Sequence, residues 1–193
     1  MDTERHSTKD RILQSAYSLF YREGFARVSV DAIAARAKVT KRTVYYHFQS
    51  KDKIVAAALE GQHEYLVQQY QQWLGSGTAN PEDMVDSLFG ELKKWADGTH
   101  WLGSGYSRIA AELVDMPGHP ARHAAHSHKA NIENWLSDRF TSTDLANPSE
   151  IAQQIMILIE GGMSLSLIHG DTGYIETARN AAASLLSKSK RNK

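Results

Sequence analysis

Apolar side chains recur at three- and four-residue intervals along most of this chain, and period-two alternation is scarce, so the pattern predicts helices rather than strands. Ile12, Leu13, Ala16, Leu19 and Phe20 make the first stripe, over residues 8–23, and Gly24 stands where helices commonly stop. Ser29 is positioned to cap a short second helix over 30–37 that buries Ile33, Ala34 and Ala37. After a break at residues 38–39, Thr40 caps a third helix over 41–48, and Ser50 opens a long fourth that reaches Leu74.

The stretch 75–81 is a Gly/Ser/Asn/Pro loop, followed by a fifth helix over 81–95 with Pro81 in its first turn beside Glu82 and Asp83. A second loop leads to a sixth helix over 106–116, ended by "PGHP". The seventh, over 120–140, carries Ile132, Trp135, Leu136 and Phe140. Asn147 and Pro148 open an eighth over 148–169, ended by Gly170. An alanine-rich ninth covers 173–187, before a polar tail expected to fray. No internal repeat interrupts this series. The predicted class is all-α.

The 193 residues are enough for a core, and 41% of them are apolar. With no cysteine, a disulfide framework, a thiolate metal site and a cysteine redox switch are excluded. The polar N-terminus lacks a secretory h-region, and the richest apolar run, "IMILIEGGMSLSLI", contains Glu160 and falls short of a membrane span. A cytoplasmic protein without a membrane partner is expected. Charge changes the picture more. Residues 1–55 hold 11 Lys and Arg against 6 acids, whereas the rest hold 11 against 16. Between Arg36 and Lys53 six bases face one acid, Asp52. A basic head on an acidic body points to a polyanion at the head.

The chemistry concentrates in "TKRTVYYHFQSK", residues 40–51. At 100° per residue Val44 and Phe48 fall together as the buried face, Arg42, Thr43 and Tyr46 lie opposite, and Lys41, Tyr45 and His47 lie on the flanks. A donor-rich short helix, held down by two apolar residues and preceded by another short helix and a tight turn, is a helix-turn-helix whose second member fits the DNA major groove. Lys41 and Lys51 suit phosphates as point charges, and Tyr45 and His47 can donate to phosphate from the flank. Arg42 has the fork that reads guanine O6 and N7, while Thr43 and Tyr46 can touch base edges or a thymine methyl. Ser29 and Thr40, the two caps, complete the candidate DNA face.

Residues 8–59 resemble the TetR family of transcriptional regulators. The resemblance rests on Phe20, Gly24, Phe25, Ser29, Ile33, Ala34, Val39, Tyr45, Phe48 and Lys51. It implies a three-helix DNA-binding domain at 1–55, and a larger helical domain at 56–193 that binds a small-molecule effector and dimerises. Effector binding then releases DNA, so a repressor on a palindromic operator is expected. The turn departs from the family pattern, with Lys38 where glycine is usual. A lysine at positive φ there carries about 1–2 kcal/mol of strain. Arg42 also replaces a residue that is often small, which alters base preference.

In the body, Phe89, Trp95, Trp101, Tyr106, Trp135 and Met156 suit an adaptable apolar pocket, with Glu160 available to a ligand cation or to a cation across a subunit interface. The eighth and ninth helices read as a dimer surface through Ile155, Ile159, Gly162, Met163, Ser166, Ala182 and Leu185. Such a bundle would space two recognition helices by roughly 34–36 Å. His119, His123, His126 and His128 leave open an alternative, a metal-responsive sensor, although no carboxylate completes a ligand set and no cofactor is expected. Paired carboxylates at working spacing, a nucleophile motif and a phosphate loop are all lacking, so an enzyme is not expected.

Overall fold

A computed structural model describes residues 7–75 and 80–190. Among these residues it holds nine helices and no strand, only an isolated bridge between Leu145 and Lys190. The middle of the expected Gly/Ser loop, at 76–79, and the end of the polar tail lie outside the described residues, as do residues 1–6.

The helices begin and end where local chemistry dictates. α1 (Thr8–Glu23) starts at a capping box, in which Ser7 accepts from the Asp10 amide and Asp10 reaches back to Ser7. It ends at Gly24, whose φ of 83° and ψ of 165° form a conformation open almost only to glycine. Ser29 caps α2 (Val30–Ala37) by accepting from the Ala32 amide at 3.1 Å. Thr40 caps α3 (Lys41–His47) by accepting from the Thr43 amide at 3.1 Å. The third helix is therefore one residue shorter than expected. Phe48 turns extended as its cap, yet its side chain stays buried. α4 (Lys51–Leu74) follows, with Ser50 accepting from the Lys53 amide.

α5 (Pro81–Ala96) is capped by Asn80. α6 (Gly105–Glu112) stops earlier than expected. Residues 113–116 tighten into turns, with the Val114 amide donating to the Ala111 carbonyl, because the residue before Pro117 is driven out of the helical region. α7 (Pro120–Thr141), α8 (Pro148–His169) and α9 (Gly173–Lys188) complete the set. Asn147 does not cap α8 with its side chain as expected. Preceding Pro148 it sits at φ 51°, in the left-handed region that asparagine tolerates, and its amide turns to Glu150.

The chain divides into two compact units, Met1–His63 with Gly105–His128, and Glu64–Ser104 with Lys129–Lys193. In the first, α2 packs on α1 and on α3, and α6 packs on α1. Buried here are Ile12, Phe20, Ile33, Val44, Ile54, Leu59 and Tyr106. In the second, α9 packs on α5 and α8, around a cluster that includes Leu88, Phe89, Ile132, Leu136, Phe140, Ile155, Ile159 and Leu186.

Two expectations about α8 change. By length and composition this helix is apolar enough to cross a membrane, contrary to the reading of its core run as too short. Its buried side, however, is part of the cluster just described. The residues expected at a dimer surface lie mostly on that buried side: Ile155, Ile159, Gly162, Met163 and Ser166 on α8, and Ala182 on α9, are inside the single-chain core, and Leu185 packs against it. α8 is apolar around most of its circumference, so hydrophobicity alone does not distinguish the side that its own chain covers.

Candidate nucleic-acid interface

The basic residues of the head are displayed by a short helix with a small anchor. Val44 is fully buried and Phe48 nearly so, while Tyr46, two residues from Val44, is 85% exposed and Tyr45 46% exposed. Arg42 on the outer face is exposed and His47 on the flank is half-buried, as the wheel requires, whereas Thr43, expected on the outer face, is half-buried. The ring of His47 lies edge-on to Tyr46, with centroids 5.2 Å apart.

The turn before this helix is a Schellman motif. The Val39 amide donates to the Ala34 carbonyl at 3.0 Å and the Lys38 amide to the Ala35 carbonyl at 3.2 Å. That pattern requires a left-handed residue between α2 and Val39, and Lys38 supplies it at φ 55° and ψ 47°. The strain expected of a lysine in the glycine position is therefore present.

Several donors of the candidate face are already engaged. Lys41 pairs with Asp31 of α2 at 2.8 Å, and this hydrogen bond raises the lysine pKa. The Thr40 and Thr43 hydroxyls bond to each other at 2.8 Å, so Thr43 presents its methyl more readily than its hydroxyl. Ser29 is occupied with the Ala32 amide. The Lys51 ammonium lies 4.1 Å from the centre of the Phe25 ring, and burial lowers its pKa. Arg42, Tyr45, Tyr46 and His47 make no side-chain hydrogen bond to a described residue and remain available to a partner.

Sequence reasoning missed what holds this arrangement from the α6 side. Arg108 donates to the Tyr21 carbonyl, in the last turn of α1, at 2.5 Å. Glu112 accepts from the Ala26 amide at 3.1 Å, just beyond Gly24. No sequence signal could have found either contact, since each joins residues more than eighty positions apart. Tyr106, expected in an effector pocket, belongs to this first unit instead. Its hydroxyl donates to the Leu59 carbonyl at 2.6 Å, its ring stacks on His128 at 3.9 Å, and burial raises its pKa.

The histidines do not converge. His119 is buried, with Nδ1 accepting from the Ala121 amide and Nε2 3.3 Å from Asp52. His128 faces His63, while His123 and His126 are exposed. Among the described residues no three histidine or carboxylate side chains could hold one metal ion. The remaining pocket candidates fall in the second unit: Phe89 and Met156 are buried in its cluster, and Trp95, Trp101 and Trp135 are half-buried against it. Trp73, Trp95 and Trp101 follow one another with ring centroids 5.9 and 6.0 Å apart, and Trp101 Nε1 is buried without a hydrogen-bond partner among the described residues. Glu160 is paired with Lys129 of its own chain.

Residues 12–58 match the family model for bacterial regulatory proteins of the tetR family. The HTH-type transcriptional regulator YjdC of Escherichia coli is 21% identical over 182 residues, which cover 92% of this chain and 93% of that protein. Residues 12–58 thus form a head of the TetR type. The HTH-type transcriptional repressor KstR2 of Mycolicibacterium smegmatis is 30% identical over 111 residues, 58% of this chain and 54% of that one. Among solved structures, a candidate TetR-type transcriptional regulator from Streptomyces avermitilis superposes with a TM-score of 0.79 at 25% identity, covering 92% of this chain and 98% of the other. A TetR-family regulator from Streptomyces coelicolor shares the fold with a TM-score of 0.81, at 21% identity and 95% and 96% coverage. The chain thus carries a helix-turn-helix head of the TetR type, and its curated relatives are transcriptional regulators.

Proposed function

We propose that this protein is a cytoplasmic, homodimeric repressor that binds a palindromic operator in double-stranded DNA and is released by a small-molecule effector. The observation that carries the DNA reading is α3. Two buried side chains anchor a helix that leaves Arg42, Tyr45, Tyr46 and His47 without hydrogen-bond partners among the described residues. In this reading Arg42 and Tyr46 face bases, the Thr43 methyl meets a thymine, and Tyr45, His47 and Lys51 meet phosphates. Lys41 contributes after exchanging Asp31 for a phosphate. The KstR2 relative is a transcriptional repressor, which supports repression here.

The dimer is assigned to the exposed stripe of α8 rather than its buried side. Ile157 and Ile168 are each 69% exposed, and Gly161, Ser164 and Leu165 share their face. A Cβ added at Gly161 would meet nothing within 4 Å, which leaves room for a partner helix. Thr177, Ala181 and Ser184 form a matching small-residue stripe on α9. Two such helix pairs make a four-helix interface between chains. The effector is assigned to the second unit, beside Trp95 and Trp101, where the unpartnered Trp101 Nε1 would donate to the ligand. Glu160 would meet a ligand cation only by giving up Lys129.

Selection of bound duplexes from a random pool tests the reading. The expected product is an inverted repeat with half-sites about one helical turn apart. Enrichment of a single asymmetric site would remove the dimeric operator. Ile168→Asp should give a folded monomer in sedimentation and lose the repeat, and a persisting dimer would place the interface elsewhere.

A further inference from the structure

Beside the candidate reading helix lies a groove of about 380 Å³, lined by residues of α1 and α4, by His47 at the end of α3 with Phe48 and Gln49 just after it, and by Pro120 at the start of α7. Three of its lining residues carry or can carry positive charge: Lys9 from the first turn of α1, His47 from the end of α3, and Lys53 from the first turn of α4. Neither lysine ammonium, nor the His47 ring, makes an ion pair or hydrogen bond to a described residue. The aromatic neighbours of the ring among the described residues are Tyr46 and Phe48. Among the described lining residues Glu60 is the one acid, seven residues beyond Lys53 on α4 and about 10 Å along the helix axis from it.

We propose that this groove is a phosphate site, distinct from the base-facing side of α3, which holds a backbone phosphate of the bound duplex through Lys9, His47 and Lys53. The inference rests on the DNA-binding reading of α3 and widens its footprint to α1 and α4. The donor set suits the role. Two ammonium groups on flexible stems bind phosphate as point charges without demanding a fixed geometry, and the His47 ring N–H donates in either protonation state. Such contacts position a protein on DNA and carry no sequence preference. Because His47 follows Tyr46 directly, a phosphate held here would fix the register in which Tyr46 meets the bases.

The test uses the full chain, a selected duplex and a scrambled duplex of equal length, with Lys9→Gln, Lys53→Gln and the double variant. Both lysines are exposed, so melting temperatures should not move. The double variant is expected to bind both duplexes more weakly by a common factor, on the order of tenfold. The slope of log affinity against log salt should become shallower by about 0.9 for the phosphate lost. An unchanged slope and affinity in the double variant, while the wild type binds DNA, would overturn the groove and leave the reading of α3 standing. Loss confined to the selected duplex would also overturn it, since phosphate contacts are indifferent to sequence. If instead inorganic phosphate raises the melting temperature of the wild type but not of the double variant, and the slope is unmoved, the groove serves a free anion and the duplex assignment is wrong. A wild-type protein that binds neither duplex would remove the reading of α3 and the groove together.

Discussion

Tyr46 and Val44 are two residues apart on one helix, and the structure gives them opposite roles that a pair of alanine variants can separate. Tyr46 is 85% exposed, so it buries only about 20–40 Å² of the 150–250 Å² a tyrosine can bury. At about 25 cal/mol/Å² this is worth about 0.5–1 kcal/mol, and alanine recovers about 0.5 kcal/mol through its better helix propensity. Tyr46→Ala should therefore leave stability within about 0.5 kcal/mol of the wild type, or a melting shift of about 2 °C or less. The same change should weaken operator binding by about 1–2 kcal/mol, roughly 5- to 30-fold, through one lost hydrogen bond and its apolar contact. Val44 is fully buried, and Val44→Ala removes two methyl groups and leaves a cavity, at about 1.5–3 kcal/mol. Its melting temperature should fall by about 3–12 °C. Thermal melts followed by circular dichroism, with anisotropy titration of labelled operator held well below each melting point, measure both quantities. The reasoning is refuted if Tyr46→Ala lowers the melting temperature by more than about 4 °C, or if it binds operator as the wild type does.

Arg42→Ala should flatten the preference at one base pair per half-site by about 1–3 kcal/mol in competition binding, whereas a loss shared by all sequences would make Arg42 a phosphate contact. Gly24→Ala should cost about 1–3 kcal/mol in chemical denaturation, because φ 83° with ψ 165° excludes a side chain. Adding Glu112→Ala should relieve only the further crowding from the Glu112 carboxylate, which a Cβ there would approach to 2.6 Å. Asp86 joins α5 to α9 through a two-pronged pair with Arg179, at 2.6 and 2.7 Å, and that hydrogen bonding holds its carboxyl below the usual carboxylate range. A folded pKa below the unfolded one gives stability that is present above the unfolded value near 3.8 and is lost as pH falls through the folded value. Asp86→Asn should thus cost about 0.2–1 kcal/mol at neutral pH and nothing once the wild-type carboxyl is protonated, and an unchanged cost in acid would contradict the pairing.

The start and end of the reading head were legible because short-range chemistry sets them. Ser29, Thr40 and Gly24 act within three or four residues of themselves, and the structure uses each where the pattern places it. The wheel placed Val44, Phe48 and Tyr46 correctly for the same reason, since one turn of helix relates them. What could not be read depends on partners distant along the chain. Asp31 occupies Lys41 from another helix, Leu59 offers its carbonyl to Tyr106, and Glu112 reaches the Ala26 amide. α8 failed for a different reason. Ile155 and Ile157 are equally hydrophobic, and only the packing of α8 into its own unit, with α9 as a neighbour, decides that the first is covered and the second is not.

The candidate interface divides by which donors the fold has already used. Ser29, Thr40 and Thr43 make local bonds that define where α2 and α3 begin, so removing any of them would disturb the helix start along with any DNA contact. Lys41 and Lys51 are each held by a neighbour, Asp31 or the Phe25 ring, and a phosphate must compete with that neighbour. Arg42, Tyr45 and Tyr46 have no such competitor. Their full hydrogen-bonding capacity is released only on a partner, and being exposed they add little to the stability of the unit. Selection on DNA sequence can therefore act on these three positions almost independently of selection on folding. A change of operator preference is expected to appear first at Arg42 and Tyr46, over an unchanged Thr40, Val44 and Phe48 frame.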